Sequence, residues 1–286
     1  MDHHILSNNY LSATVKSDGA ELCSLRDAEG TELLWQAHPV WPRHAPVLFP
    51  IVGRLKDDTL RHNGRTYHLT QHGFARDRRF AWLSRSATAC RLVLRDDTDT
   101  RAVYPFAFRF EVGFALEDDA LVNSFTIVNT GRETLPASVG AHPAFRWPLT
   151  EGVEKTAHVL EFDQPEPAPI RRLAGGLLGD PQPTPIQGRT LALDPRLFDA
   201  DALILDQLAS RSVRFTAPGA EAIEVSWDGF HDLGIWMRPG GDFLCIEPWH
   251  GTHSPVGFDG DFRDKPGVLL IPPGDRRSLT MRVRLC

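Results

Sequence analysis

The sequence predicts an all-β protein built as a large antiparallel β-sandwich, and three observations predict it. Apolar and polar residues alternate with a period of two in segment after segment. Turn-forming residues separate those segments at short intervals, and amphipathic helical periodicity is scarce. Many short half-buried strands punctuated by turns are the pattern of stacked antiparallel sheets.

The elements follow in chain order. Asn63-Gly64, between Leu60 and the run 66–69, predicts a tight hairpin, because both residues accept the positive φ of a two-residue turn. Short strands are expected over 91–94 and 121–128. The clearest alternation sets Phe108, Phe110, Val112, Phe114 and Leu116 against Arg109, Glu111, Gly113 and Ala115, so one face is apolar. Further strands are expected over 158–162, 213–216, 233–237 and 243–246, with alternating runs through Ile223, Val225 and Trp227 and through Leu279, Met281, Val283 and Leu285. Turn clusters at 17–19, 129–131, 217–219, 239–241 and 272–274 separate them. The Pro- and Gly-rich stretch 164–185 predicts a long excursion over the surface. Residues 195–208 predict a turn or two of helix with Asp194 as its cap. No repeat or linker divides the chain, so residues 1–286 are expected to form a single domain.

Composition narrows the function. The net charge is −6 and no basic stripe is present, which argues against a nucleic-acid partner. Cys23, Cys90, Cys245 and Cys286 form no CxxC pair, so reduced thiols and a cytoplasmic protein are expected. The N-terminus lacks signal-peptide grammar, and no segment approaches the ~18 apolar residues of a membrane span. Phosphate-loop, dinucleotide and serine-nucleophile fingerprints are missing; the glycine-rich run 174–179 lacks a strand-to-helix context.

Three segments place a titratable residue beside Gly or Pro. LFPIVGR (48–54) followed by QHGFAR (71–76) offers His72, Arg54 and Arg76. These arginines suit hydroxyl or phosphate binding, and equally ion pairs with acids such as Asp57 and Asp77. VGAHPAF (139–145) holds His142 before a proline that favours extended backbone, fitting either a proton-shifting histidine or a buried structural one. LCIEPWHG (244–251) ends an apolar run in Glu247, where desolvation raises the carboxyl pKa and makes a better base. His250 and His253 have HxxH spacing, but that spacing is commonplace in loops and no metal is expected.

Together, LFPIVGRL (48–55), LTQHGFAR (69–76), VGAHPAF (139–145), CIEPWHG (245–251) and the tail 265–274 resemble the aldose 1-epimerase (galactose mutarotase-like) family, in its LacX-like bacterial branch. The resemblance implies a β-supersandwich and cofactor-free interconversion of sugar anomers. It implies Glu247 as general base on the anomeric hydroxyl and His142 as general acid on the ring oxygen. His72 and Arg54 would then hold hydroxyls and the ring oxygen, and Asp201, chosen over Asp199, would bind hydroxyls. Trp249, Phe74 and Trp35 are the candidate aromatic faces for sugar C–H surfaces. Gly53-Arg54 departs from an Asn-Arg pair common in the wider family. Ring opening leads to the expectation that acid and base flank opposite sides of the hemiacetal, with the histidine near its normal pKa. The expected partner is a small-molecule sugar, free or phosphorylated, and the expected assembly a monomer or homodimer. A hexose-6-phosphate held by Arg76 is the alternative substrate. A non-catalytic carbohydrate-binding or sensing protein and a metal-dependent, cupin-like isomerase are the competing functions.

Overall fold

The period-two segments become strands in the computed structural model, which describes residues 2–286. Phe108–Glu117 and Ala120–Asn129 pair across a two-residue turn, with Glu117 opposite Ala120. The apolar half of each is buried, as the alternation requires. Among the described residues this hairpin lies within a nine-stranded sheet. Its order is Thr190–Ala192, Val159–Phe162, Ser212–Thr216, Ile223–Asp228, Arg276–Leu285, Ala120–Asn129, Phe108–Glu117, Ala89–Arg95 and Ala81–Arg85. All of its pairings are antiparallel.

A smaller sheet, seven-stranded among the described residues, carries the site. Phe243–His250 pairs on one side with Val139–Gly140 and Ala144–Arg146, and on the other with Asp232–Trp236. Leu203–Leu205, Ile170–Ala174 and Leu177–Gln182 complete it. The core cluster includes residues from Leu6 to Val283 and is rich in aromatics; Phe49 stacks on Phe110 at 4.3 Å. Each such side chain, fully buried, contributes about 1.5–3 kcal/mol. Leu244 and Ile246 point into this core. Phe243, Cys245 and Trp249 lie in separate buried clusters, as strand alternation demands of the opposite face.

The Asn63-Gly64 hairpin forms, joining Thr59–His62 to Arg65–His68 with both turn residues at positive φ. The stretch 164–185 lies largely at the surface, but it is not an irregular excursion. It contains the hairpin Ile170–Ala174/Leu177–Gln182, turned by Gly175-Gly176 at φ 60° and 81°. Pro181 is tolerated because its strand is at the sheet edge. In 195–208 only Pro195–Phe198 is helical, a single 3-10 turn capped by the Asp194 carboxylate accepting from the Arg196 N–H at 2.9 Å. The rest supplies the strand Leu203–Leu205. An α-helix not anticipated, Thr98–Val103, starts from a reciprocal Asp97/Thr100 capping box. Among the described residues no helix is long and apolar enough to cross a membrane.

Candidate active site

The outward face of Phe243–His250 forms the floor of a cavity of about 260 Å³. Glu247 lies on this floor opposite Gly234, and Trp249 lies opposite Asp232 and Gly140. The Trp249 indole spreads over the two glycines: a Cβ on Gly234 or Gly140 would come within 2.4 or 2.6 Å of its ring. Glycine within a strand thus marks a close approach, here of a side chain lying flat on the sheet.

His142 sits in the link between Val139–Gly140 and Ala144–Arg146. That link is tied to the floor strand by Ala141 N–H to Pro248 O at 3.1 Å and Ile246 N–H to Pro143 O at 3.4 Å. This backbone clamp brings His142 Nε2 to 3.3 Å from Glu247 Oε2, with the side chains only 8% and 2% exposed. The two groups therefore stand side by side rather than on opposite sides of a sugar ring. Trp41 stacks on the His142 ring at 5.2 Å, and Trp236 meets it edge-on at 5.8 Å.

Burial sets the protonation of the pair. It raises the Glu247 carboxyl well above its ordinary range, opposed by the Trp249 indole and reinforced by Asp201. It lowers His142 to about 3, helped by the positive charge of Arg76. The cavity thus disfavours charge on both groups, and His142 is far from its normal value. The physical cause is the same for both: a dry, low-dielectric site disfavours each charged form.

His72 also lines the cavity, its ring 5.8 Å from that of His142. The Gly53 N–H donates to His72 Nδ1 at 3.1 Å, so Nδ1 is the acceptor and the neutral ring carries its proton on Nε2. Burial keeps His72 well below its ordinary pKa. Asp201 lines the cavity wall, while Asp199 lines only an adjoining outer groove. Arg76 reaches the cavity and is held by donation to Gln71 O at 2.8 Å, with Nε 3.6 Å from Asp77.

The other expected residues lie elsewhere. Arg54 does not line the cavity; it makes two 2.7 Å bonds to Asp58, the kind of ion pair its charge also allowed. Phe74 packs into the main core against Phe49, Tyr104 and Phe108. Trp35 lies in the cluster with Phe243 and Cys245, behind the lining. Trp41, Trp236, Arg238, Gln71 and His253 line the cavity and were not expected as site residues. Only register reveals Trp236, which faces Cys245 and so shares the face of Glu247. Trp41 lies outside any regular strand, where no period points to it.

His142, Cys245 and Glu247 bring potential ligand atoms within 4.8 Å of one another. Burial, reinforced by Glu247, raises the Cys245 thiol well above its ordinary pKa, whereas metal binding needs a thiolate. A metal held there would have to displace the thiol proton. His250 and His253 do not converge: the first bonds Gly229 O at 3.0 Å beside His231, and the second faces His72 and Trp249.

This sandwich, with a histidine and a glutamate side by side in a small cavity of its smaller sheet, has the galactose mutarotase-like architecture. A galactose mutarotase related enzyme from Lactobacillus acidophilus matches it with a TM-score of 0.93 and 33% identity, over 100% of this chain and 97% of that one. A galactose mutarotase-like protein from Lactobacillus casei matches with a TM-score of 0.93 and 28% identity, over the full length of both. The chromosomal protein LacX of Lactococcus lactis subsp. lactis is 32% identical over 94% of this chain and 95% of its own. The aldose 1-epimerase family model matches residues 2–264, and the chain belongs to that family.

Proposed function

We propose that this chain is a mutarotase that interconverts the α and β anomers of a free hexose by acid–base ring opening and reclosure, without a cofactor. The observation that carries the proposal is the 3.3 Å approach of His142 Nε2 to Glu247 Oε2 on the floor of the cavity. A volume of about 260 Å³ is of the size of a monosaccharide site, just below the roughly 300–1,000 Å³ of drug-sized sites.

The side-by-side arrangement fits the chemistry. The anomeric hydroxyl and the ring oxygen are bonded to the same carbon, so adjacent groups reach both. Ring opening starts from the carboxylate and imidazolium. Glu247 takes the hydroxyl proton, the O1 electrons form the aldehyde, the C1–O5 bond breaks, and His142 gives its proton to O5. The pair then holds a carboxylic acid and a neutral imidazole, the state that burial favours. Rotation about C1–C2 and the reverse transfers close the other face. Hydroxyls donating to Glu247 favour its charged form in the ring-closed complex. His72 Nε2–H, which also meets the Gln71 side-chain amide at 3.3 Å, and Asp201 supply a donor and an acceptor for other hydroxyls, and Trp249 an apolar face.

Saturation-transfer NMR on glucose and galactose tests this. Glu247→Gln and His142→Asn should each remove a positioned proton carrier, lowering anomer exchange by about 10²–10⁴-fold. Unchanged exchange in both folded variants would end the mechanism. A binding or sensing protein would instead show thermal stabilisation by sugar with no accelerated exchange.

A hexose 6-phosphate is the second reading. It is favoured by Arg76 and Arg238, which both line the cavity. Guanidinium groups bind phosphate through strong charge-assisted bonds.

A further inference from the structure

Residues 53 and 54 leave an opening beside the cavity. Arg54 turns outward to Asp58, and Gly53 has no side chain. The space is filled by His253: a Cβ on Gly53 would sit 2.2 Å from His253 Cγ. The imidazole lies against the bare backbone of Gly53, 6.2 Å from the rings of both His72 and Trp249, and lines the cavity.

This histidine is 3% exposed, and neither ring nitrogen has a hydrogen-bond partner. Leaving a buried polar group unpaired is costly, and most such groups are satisfied. Its backbone is pinned on both sides: Thr252 O accepts from Lys265 Nζ at 2.6 Å, and Ser254 N–H donates to Arg54 O at 2.9 Å. The loop is therefore anchored and the ring positioned, yet its polar atoms lack partners. Burial and the Lys265 charge lower its pKa to about 3, so the ring is neutral and offers one donor and one acceptor.

We infer that His253 is a sugar-hydroxyl ligand, its imidazole turning a nitrogen into the cavity when the hexose enters and filling the role that Gly53-Arg54 leaves open. The inference rests on the cavity being a hexose site. It assigns His253 to binding rather than to proton transfer, since the transferring pair is His142 and Glu247.

The test is His253→Phe, which keeps a ring over Gly53 and removes both polar atoms. KM for glucose or galactose should rise roughly tenfold with kcat within about twofold, the effect of losing one or two hydrogen bonds. The sugar-free variant should melt roughly 2–4 °C higher, because two unpaired polar atoms are gone. His253→Leu repeats the test if the larger ring does not fold, and His253→Gln should recover most of the affinity. A merely space-filling ring predicts unchanged KM in His253→Phe, and that result overturns the inference, as does a parallel loss in kcat. Sugar-induced thermal shifts separate the two layers of argument. Wild-type protein that binds but does not exchange sugar refutes the mutarotase while leaving His253 testable by affinity. Exchange with unaltered affinity in His253→Phe refutes only the role of His253. Wild-type protein that neither binds nor exchanges glucose, galactose or their 6-phosphates refutes both.

Discussion

In the proposed mechanism Glu247 and His142 share one proton, in a site that penalises charge on either. Lowered His142 and raised Glu247 fix the sign of the pH dependence. On the acid side the pair gains a second proton and no base remains. On the alkaline side it loses its only proton and no acid remains. His142 should therefore add no inflection to the kcat/KM profile near 6.5, the ordinary imidazole value that it has left. An inflection there that exchange NMR shows to vanish in a residually active His142→Asn variant would mean that His142 titrates as an exposed group. Arg76 decides between substrates. Arg76→Ala should weaken a hexose 6-phosphate by roughly 1.5–3 kcal/mol, the range for hydrogen bonds to charged groups, and change free hexose little. Equal effects on both substrates would remove the phosphosugar reading. The identities of Glu247, His142 and His72 were legible because each stands beside Gly or Pro in a segment that breaks strand grammar, and Arg76 because it lies in the same segment as His72. Arg54 met the same description, but Asp58 is four residues away and captures it. A local motif does not say which of two partners an arginine reaches.

The strand Phe243–His250 works because it is buried on both faces with different partners. Even positions Leu244 and Ile246 anchor it in the main core, and odd positions carry Glu247 and Trp249 to the cavity. A register slip of one residue would bury Glu247 in the core and present Ile246 to the substrate. The flanking glycines hold the other half of the design. Gly234→Ala would drive a Cβ to 2.4 Å from the rigid Trp249 ring, which must then lift into the cavity. The expected result is about 1–3 kcal/mol of destabilisation in denaturant unfolding, by overpacking, together with weaker sugar binding. Unchanged stability and affinity would show that the indole is not wedged there. Gly234 stood in the expected strand 233–237 and Gly140 in the segment 139–145, but what approaches them is decided by neighbouring strands. The hairpin around Gly175-Gly176 was hidden differently: its prolines pointed to a loop, and only the edge position of Leu177–Gln182 reconciles them with a strand.

Across the molecule, buried titratable groups pull stability in opposite directions with pH. His142 and His253 are each lowered from 6.5 to about 3, so their contribution is present above 6.5 and is lost as pH falls towards 3. Asp232, accepting from the Gly251 N–H at 2.9 Å, is raised by burial from 3.8 to about 7. Its contribution is present below 3.8 and is lost as pH rises through about 7. Asp232→Asn should therefore gain melting temperature relative to wild type as pH rises from 3.8 through 7. His253→Phe should gain as pH falls below 6.5. Thermal melts across that range check both, and a pH-independent difference would contradict the burial that causes the shifts.

By itself the sequence determined the all-β architecture, the strands with clear alternation, the Asn63-Gly64 turn and the three segments that carry Glu247, His142, His72 and Arg76. These depend on side-chain period and backbone preference, which act between near neighbours. The tertiary structure decided that His142 and Glu247 stand side by side, that Trp41, Trp236 and His253 complete the wall, and that Arg54 and Phe74 do not. Those outcomes depend on strand register and on burial by distant segments, and desolvation, which sets the proton inventory of the site, exists only once the chain has closed around it.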